Sequence, residues 1–227
     1  MSLFSLEHGK LAYWSDFVFY GVVVSLLLSW IVFASAAGHG VANTAANTAA
    51  STAASAALVL LGLASWSLLE YLIHRFLLHG VAPFSEWHAR HHLRPTALIS
   101  APTVLSATLF ALLVFLPLFA LGGMWASSAF FLGVLAGYLA YAFVHHATHH
   151  WRASSAGARR RKRWHALHHR HAEQGCCYGV TSGLWDRVFA TTPYSDQALQ
   201  TPAPHPSELA ALNLTEAPRD LQPLHCS

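Results

Sequence analysis

Thirteen of the seventeen histidines stand in four short groups. They are His74 and His79 in "EYLIHRFLLH", His88, His91 and His92 in "WHARHH", His145, His146, His149 and His150 in "VHHATHH", and His165, His168, His169 and His171 in "WHALHHRH". Neutral imidazole is a good ligand for iron, zinc, copper or nickel. A helix brings residues three and four apart onto one face. His88/91/92, His165/168/169 and His145/149 obey that rule, and His146/150 form a second such pair turned by about 100°. His74 and His79 are five apart, about 140° round an α-helix. They could serve two metals, or one of them could sit just past a helix end. No Asp or Glu lies between Glu86 and Glu173, so the Glu-x-x-His pattern of soluble di-iron bundles is absent. Metals here would be held mainly by imidazoles. Ten or so ligands suit two ions of about five nitrogens each, with a position left open for oxygen or water. The three cysteines, Cys176, Cys177 and Cys226, form no C-x-x-C pair, which argues against a thiolate zinc site or a disulfide framework.

The elements that must position these histidines are apolar. The chain of 227 residues is 54% hydrophobic and only 10% charged, where soluble domains carry about 25% charged residues. Four uncharged or nearly uncharged runs cover 17–37, 53–73, 102–121 and 124–144, with Gly122-Gly123 as a turn between the last two. Each approaches the roughly 20 residues that span a bilayer, and none shows a polar face. The first run is long enough to stay in the bilayer, and no signal-peptide cleavage site precedes it. The fold class is therefore all-α, an integral membrane protein with four transmembrane helices. A cytoplasmic helical cap, 74–101 and 145–192, would carry a histidine-bound di-metal site.

No Lys or Arg lies between Gly38 and His74 or between Pro95 and Trp151. Those two intervals contain the outer loops, and both termini are cytoplasmic. All four histidine groups then emerge on the cytoplasmic face. The spans hold no ionisable residue at mid-depth; Glu70 lies near an inner end. This favours a site at the membrane surface over a transport pathway. The small-residue stretch "NTAANTAASTAASAAL" packs helices closely or is a low-complexity lead-in to the second span, and the second reading is preferred. "RRRKR", Arg159 to Arg163, would dock an acidic electron-transfer protein or serve topology and anionic lipid; again the second is preferred. Residues 1–192 form the membrane domain, and 193–227 a Pro-rich, disordered tail.

In this order and spacing the histidines resemble those of the fatty acid hydroxylase/sterol desaturase superfamily of membrane di-metal oxygenases, from about Glu70 to Thr192. "EYLIHRFLLH" and "TSGLWDRVFAT" look most like the fatty acid 2-hydroxylase branch. The resemblance implies ten metal ligands: His74, His79, His88, His91, His92, His145, His149, His165, His168 and His169. It implies two iron ions, replaceable by zinc on purification, and hydroxylation of an unactivated C–H bond by dioxygen. Three features depart from the pattern. The stretch from His79 to His88 is shorter than in eukaryotic members, Ala142 stands where many have Asp after the Tyr, and no fused haem-binding cytochrome domain is expected ahead of the first span.

Tyr141, His146, His150, Tyr178 and Asp186 are candidates for holding ligands in place from behind. Interfacial packing is the alternative for Tyr141, Tyr178 and Trp164 and for the two histidines; it is the preferred reading for Trp87 and Trp151. Asp186 could also pair with Arg187 or cap a helix. The expected partners are a lipid substrate from the bilayer, dioxygen and a separate electron donor, ferredoxin-like or a b-type cytochrome with its reductase. No nucleic acid is expected. The expected location is a bacterial inner membrane rather than the endoplasmic reticulum. Other readings are a desaturase or a sterol or carotenoid hydroxylase, a histidine-rich metal-binding or transport protein, and a zinc hydrolase. The last is disfavoured by the lack of a nearby Glu base.

Overall fold

A computed structural model describes residues 9–36, 45–171 and 175–193, and these contain helices and no β-strand. The expected tail from 193 onward lies, beyond Pro193, outside the described residues. The helices are α1 (Lys10–Ala36), α2 (Ala45–Leu72), α3 (Phe84–Leu93), α4 (Thr103–Phe110), α5 (Leu116–His150), α6 (Ala156–Arg170) and α7 (Leu184–Val188). Two π-helical turns extend the ladder, Ile73–Leu78 after α2 and Ala111–Phe115 between α4 and α5. The chain divides into two compact units, residues 1–150 and 151–227.

Three helical stretches are long and apolar enough to cross a membrane: Lys10–Ala36, Ala46–Leu78 and Thr103–His150. They start earlier or run on later than the apolar runs. Lys10 and Asp16 end a hydropathy run, but they do not end a backbone hydrogen-bond ladder.

The third stretch is not one rod. Phe110 and Tyr138 would stand about 42 Å apart on a continuous helix, yet their ring centroids are 5.1 Å apart. Phe115 meets Phe131 in the same way, at 5.3 Å. The chain reverses at Gly123, whose φ of 69° and ψ of 179° suit a residue without a β-carbon. The first unit thus has four apolar limbs: α1, α2, residues 103–122, and residues 124–150.

Small residues let α2 lie close against the last limb. A β-carbon on Gly62 would collide with the Phe130 carbonyl, and one on Gly133 with the Val59 carbonyl. Among lipid-facing helices, such backbone approach replaces the hydrophobic effect as the packing force. Polar glue joins the ends remote from the histidine groups, where Ser35 and Ser55 hydroxyls are 2.8 Å apart and Trp125 Nε1 donates to Ser55 at 3.2 Å. Within the alanine-rich stretch, only Ser55 is buried among residues 46–58, and the alanines face outward. That agrees with the lead-in reading, and the close packing lies further along α2.

In the second unit, Ser155 caps α6 by accepting from the Ala158 N–H at 3.1 Å. One face of α6 buries Trp164, His165, Leu167 and His168, while Arg159, Arg160 and Arg163 are exposed. Trp164 and Leu167 share a small core with Cys176 and Cys177.

Candidate metal centre

In the first unit, the local backbone of α2 resolves the five-residue spacing of its histidines. A π-helical turn closes on i→i+5, so residues five apart nearly superpose. His74 lies in that turn and His79 caps its end. Their ring centroids are 5.3 Å apart, so the two share one cluster rather than serving two.

α3 then divides its three histidines. His88 and His92, one helical turn apart, join His74 and His79, with ligand nitrogens all within 4.8 Å. His91 points elsewhere and joins His145 and His149 from α5 within the same limit. His88 Nε2 stands 2.9 Å from His74 Nε2 and 2.9 Å from His92 Nε2. His91 Nε2 and His145 Nε2 are 3.1 Å apart.

These distances test whether a metal fits. A ring nitrogen offers one hydrogen or one lone pair, so His88 Nε2 cannot bond well to two imidazoles at once. Two nitrogens about 2.1 Å from one ion and at right angles lie about 3.0 Å apart, against about 3.4 Å at the tetrahedral angle. The observed spacings fit a cation held by more than four ligands. Burial pulls the His79 pKa down to about 4, so its imidazole is neutral near pH 7, the ligating form.

Tyr141 lies parallel to His145, rings 5.7 Å apart and 7° from coplanar, and so fixes the plane of that imidazole. His146 and His150 face away from this cluster. His146 Nδ1 is 3.1 Å from the Tyr13 hydroxyl, and its ring sits 5.0 Å from Trp14. His150 stacks on His146 at 4.4 Å. His146 thus anchors the helix end on aromatics of α1, and His150 lies over it, exposed.

The second unit has its own histidine group on α6. His165 Nε2 and His169 Nε2 are 3.1 Å apart. His168 is fully buried, and its Nδ1 donates to the Cys176 carbonyl at 2.9 Å. That bond sets the tautomer and leaves Nε2 as a lone-pair donor, as ligating histidines require. Asp186, on α7, supports the same loop from behind. Its carboxylate accepts from the N–H groups of Tyr178 and Gly179 at 2.7 and 2.9 Å and from the Thr191 hydroxyl at 2.9 Å. Burial pushes its pKa up, and these donors oppose the rise. Asp186 therefore ties backbone rather than an imidazole. Tyr178 packs 5.6 Å from His168. Cys176 and Cys177 are buried side by side, their sulfurs 2.6 Å apart.

A cavity of about 510 Å³ opens from the histidines of the first unit. His74, His88, His91 and His145 form one end, and Leu109, Leu113 and Val114 line its course along α4 and the π-helical turn that follows. Its wall also carries two carboxylates whose partners the sequence did not disclose. Asp16, just ahead of the first apolar run, is buried and accepts from the Thr103 hydroxyl at 2.7 Å and the Tyr138 hydroxyl at 3.3 Å. Glu70, noted in the sequence only for its place near an inner end, is buried in the same wall, beside Tyr13 and Tyr141. A carboxylate within or at the edge of an apolar run was the available signal.

A family model described as fatty acid hydroxylase matches residues 59–191. The dihydroceramide fatty acyl 2-hydroxylase FAH2 of Arabidopsis thaliana is 35% identical over 148 residues, covering 60% of this chain and 60% of that protein. The ceramide very long chain fatty acid hydroxylase scs7 of Schizosaccharomyces pombe is 32% identical over 147 residues, covering 58% of this chain and 41% of its own length. Human fatty acid 2-hydroxylase is 30% identical over 159 residues, covering 63% and 41%. The chain thus spans less than two thirds of the length of these curated relatives. Among solved structures, full-length scs7p, of which only the hydroxylase domain is visible, matches with a TM-score of 0.60 and 26% identity, over 82% of this chain and 69% of that one.

Proposed function

Because the chain belongs to the fatty acid hydroxylase family, we propose that it is a membrane-bound di-iron oxygenase that hydroxylates a C–H bond of a lipid, a fatty acyl chain first among candidates. The observation that carries this reading is the cavity of about 510 Å³, mostly apolar in its lining, that ends on four histidines. A hydrocarbon chain in it presents a C–H bond where the imidazoles converge.

The ten ligands are His74, His79, His88, His91, His92, His145, His149, His165, His168 and His169. Motif spacing supports all ten, and the Nε2 crowding in each unit supports the imidazole donor set. Bound there, iron supplies the redox chemistry by which dioxygen attacks an unactivated C–H bond. The protein does the rest. Tyr141 and the Cys176 carbonyl hold His145 and His168 in fixed orientations. Leu109, Leu113 and Val114 keep water away from the chain and align it. Electrons come from a separate donor, ferredoxin-like or a b-type cytochrome. The four limbs cross a bacterial inner membrane four times, with termini and histidines cytoplasmic, as the Lys/Arg distribution supports.

Expression of the chain with a reductase system, followed by mass spectrometry of whole-cell lipids, tests this. A dioxygen-dependent gain of one oxygen, absent in the His168→Ala/His169→Ala variant, is the expected result. Loss of two hydrogens would instead make the protein a desaturase. No lipid change despite stoichiometric iron and working electron transfer would overturn the reading.

A further inference from the structure

The cavity does not close inside the protein. On α4 and the π-helical turn that follows, its wall is one stripe: Leu105, Ser106, Leu109, Phe110, Leu113 and Val114. Steps of four overshoot an α-helical turn by about 40°, so such a stripe should drift away from the cavity. The wider π-turn at Ala111–Phe115 takes up that excess. It keeps Leu113 and Val114 on the cavity wall. Yet Leu113 is also 69% exposed, and its neighbour Leu112 is 54% exposed. One side chain therefore belongs both to the cavity and to the lipid-facing surface.

The opposite wall is α2. Trp66 lies in it, with its ring 5.8 Å from Phe110. That pair narrows the slot one turn before Leu113. From Leu105 to Val114 the slot runs about 13 Å along the helix axis, and Ile99, Ser100 and Ala101 continue its wall toward the histidines. A very long acyl tail outruns that slot.

We propose that Leu113 and Val114 frame a lateral portal, through which the hydrocarbon tail of the substrate leaves the slot and lies in the bilayer. The slot then fixes which carbon meets the histidines and leaves the far end of the chain unmeasured. The portal rests on the lipid-oxidation reading for its occupant.

The test uses the full chain in phosphatidylcholine vesicles holding fatty acids with a diazirine at mid-chain or at the chain end. Irradiation and peptide mapping should place mid-chain crosslinks on Leu113 or Val114, and chain-end probes of very long chains on bulk lipid. Leu113→Trp should remove the Leu113 and Val114 crosslinks and lower the ratio of long-chain to short-chain oxidation about tenfold. Leu113→Ala, which opens the portal, should not lower that ratio, and an unchanged melting temperature of Leu113→Trp controls for misfolding. Crosslinks confined to Leu105 and Leu109, or rejection of long chains by the unaltered protein, would overturn the portal in favour of a blind pocket. The two readings separate cleanly. Correct crosslinks without oxidation of any lipid leave the portal standing and sink the oxygenase. Oxidation with an unaltered chain-length profile in Leu113→Trp does the reverse.

Discussion

The end of α5 carries two histidine pairs with identical spacing and opposite fates. His145 and His149 face His91, with Nε2 of His145 3.1 Å from Nε2 of His91. His146 faces α1, where Tyr13, Trp14 and Phe17 surround it, and His150 stacks on His146. An i, i+4 spacing tells which imidazoles share a face. Only the element across from that face decides whether they converge on a cation or on aromatic rings.

The largest expected effect breaks this symmetry outright. His145→Ala or His149→Ala should cost more metal affinity than the roughly 10–100-fold that outer partners cost, and should abolish lipid oxidation. His146→Ala should keep its metal and lose about 1–2 kcal/mol of stability, from one hydrogen bond and its ring contacts. Metal analysis beside thermal unfolding checks both. Equal metal loss in His146→Ala would erase the distinction between the two faces.

A second prediction carries the same contrast to α2. Phe76 is 57% exposed within the π-helical turn, so its removal leaves no buried void. Deleting it should restore α-helical winding with His74 and His79 four residues apart, about 40° round the helix. The two imidazoles then stay on one face, and the first cluster should keep its ion. Circular dichroism should show helix content retained and elemental analysis the metal unchanged; loss of about half the metal would mean that the π-helical turn itself, and not the shared face, sets the ligand geometry.

Those two histidines also mark the limit of what the sequence disclosed. The apolar runs, the reversal at Gly122-Gly123 and the grouping of histidines were legible, because hydropathy and period are local properties. The placement of His79 was legible only as one of two alternatives, a seat just past a helix end, since nothing local in "IHRFLL" announces a π-helical turn. The role of Asp16 was not legible either, because a carboxylate at the edge of an apolar run reads as a boundary until its partners, Thr103 and Tyr138, are seen from distant helices. For Asp186 none of the sequence alternatives describes the observed bonds, which go to the N–H groups of Tyr178 and Gly179 and to Thr191.

Asp186 supplies a smaller effect and extends the comparison to the second unit. Asp186→Asn replaces one accepting oxygen with an N–H₂ group aimed at backbone donors. It should destabilise the loop that holds His168 by about 1–3 kcal/mol, the cost of buried donors left unsatisfied. Hydrogen exchange at Tyr178 and Gly179 should speed up. If Asp186 instead acted through Arg187, Arg187→Ala would reproduce that change, and it is expected not to.

The smallest effect asks what holds His146 in its place. Tyr13→Phe keeps the ring that packs 5.6 Å from His146 and removes only the hydroxyl at 3.1 Å. If aromatic packing holds His146, the loss should be about 0.5–1.5 kcal/mol, that of a single hydrogen bond. Metal content should not change. A larger loss would mean that the hydroxyl fixes the rotation of α5 about its own axis. His145 and His149 would then move with it, and the aromatic face would be setting the geometry of the metal face. Measuring metal content and melting temperature on the same Tyr13→Phe preparation separates the two, because only the second outcome moves both.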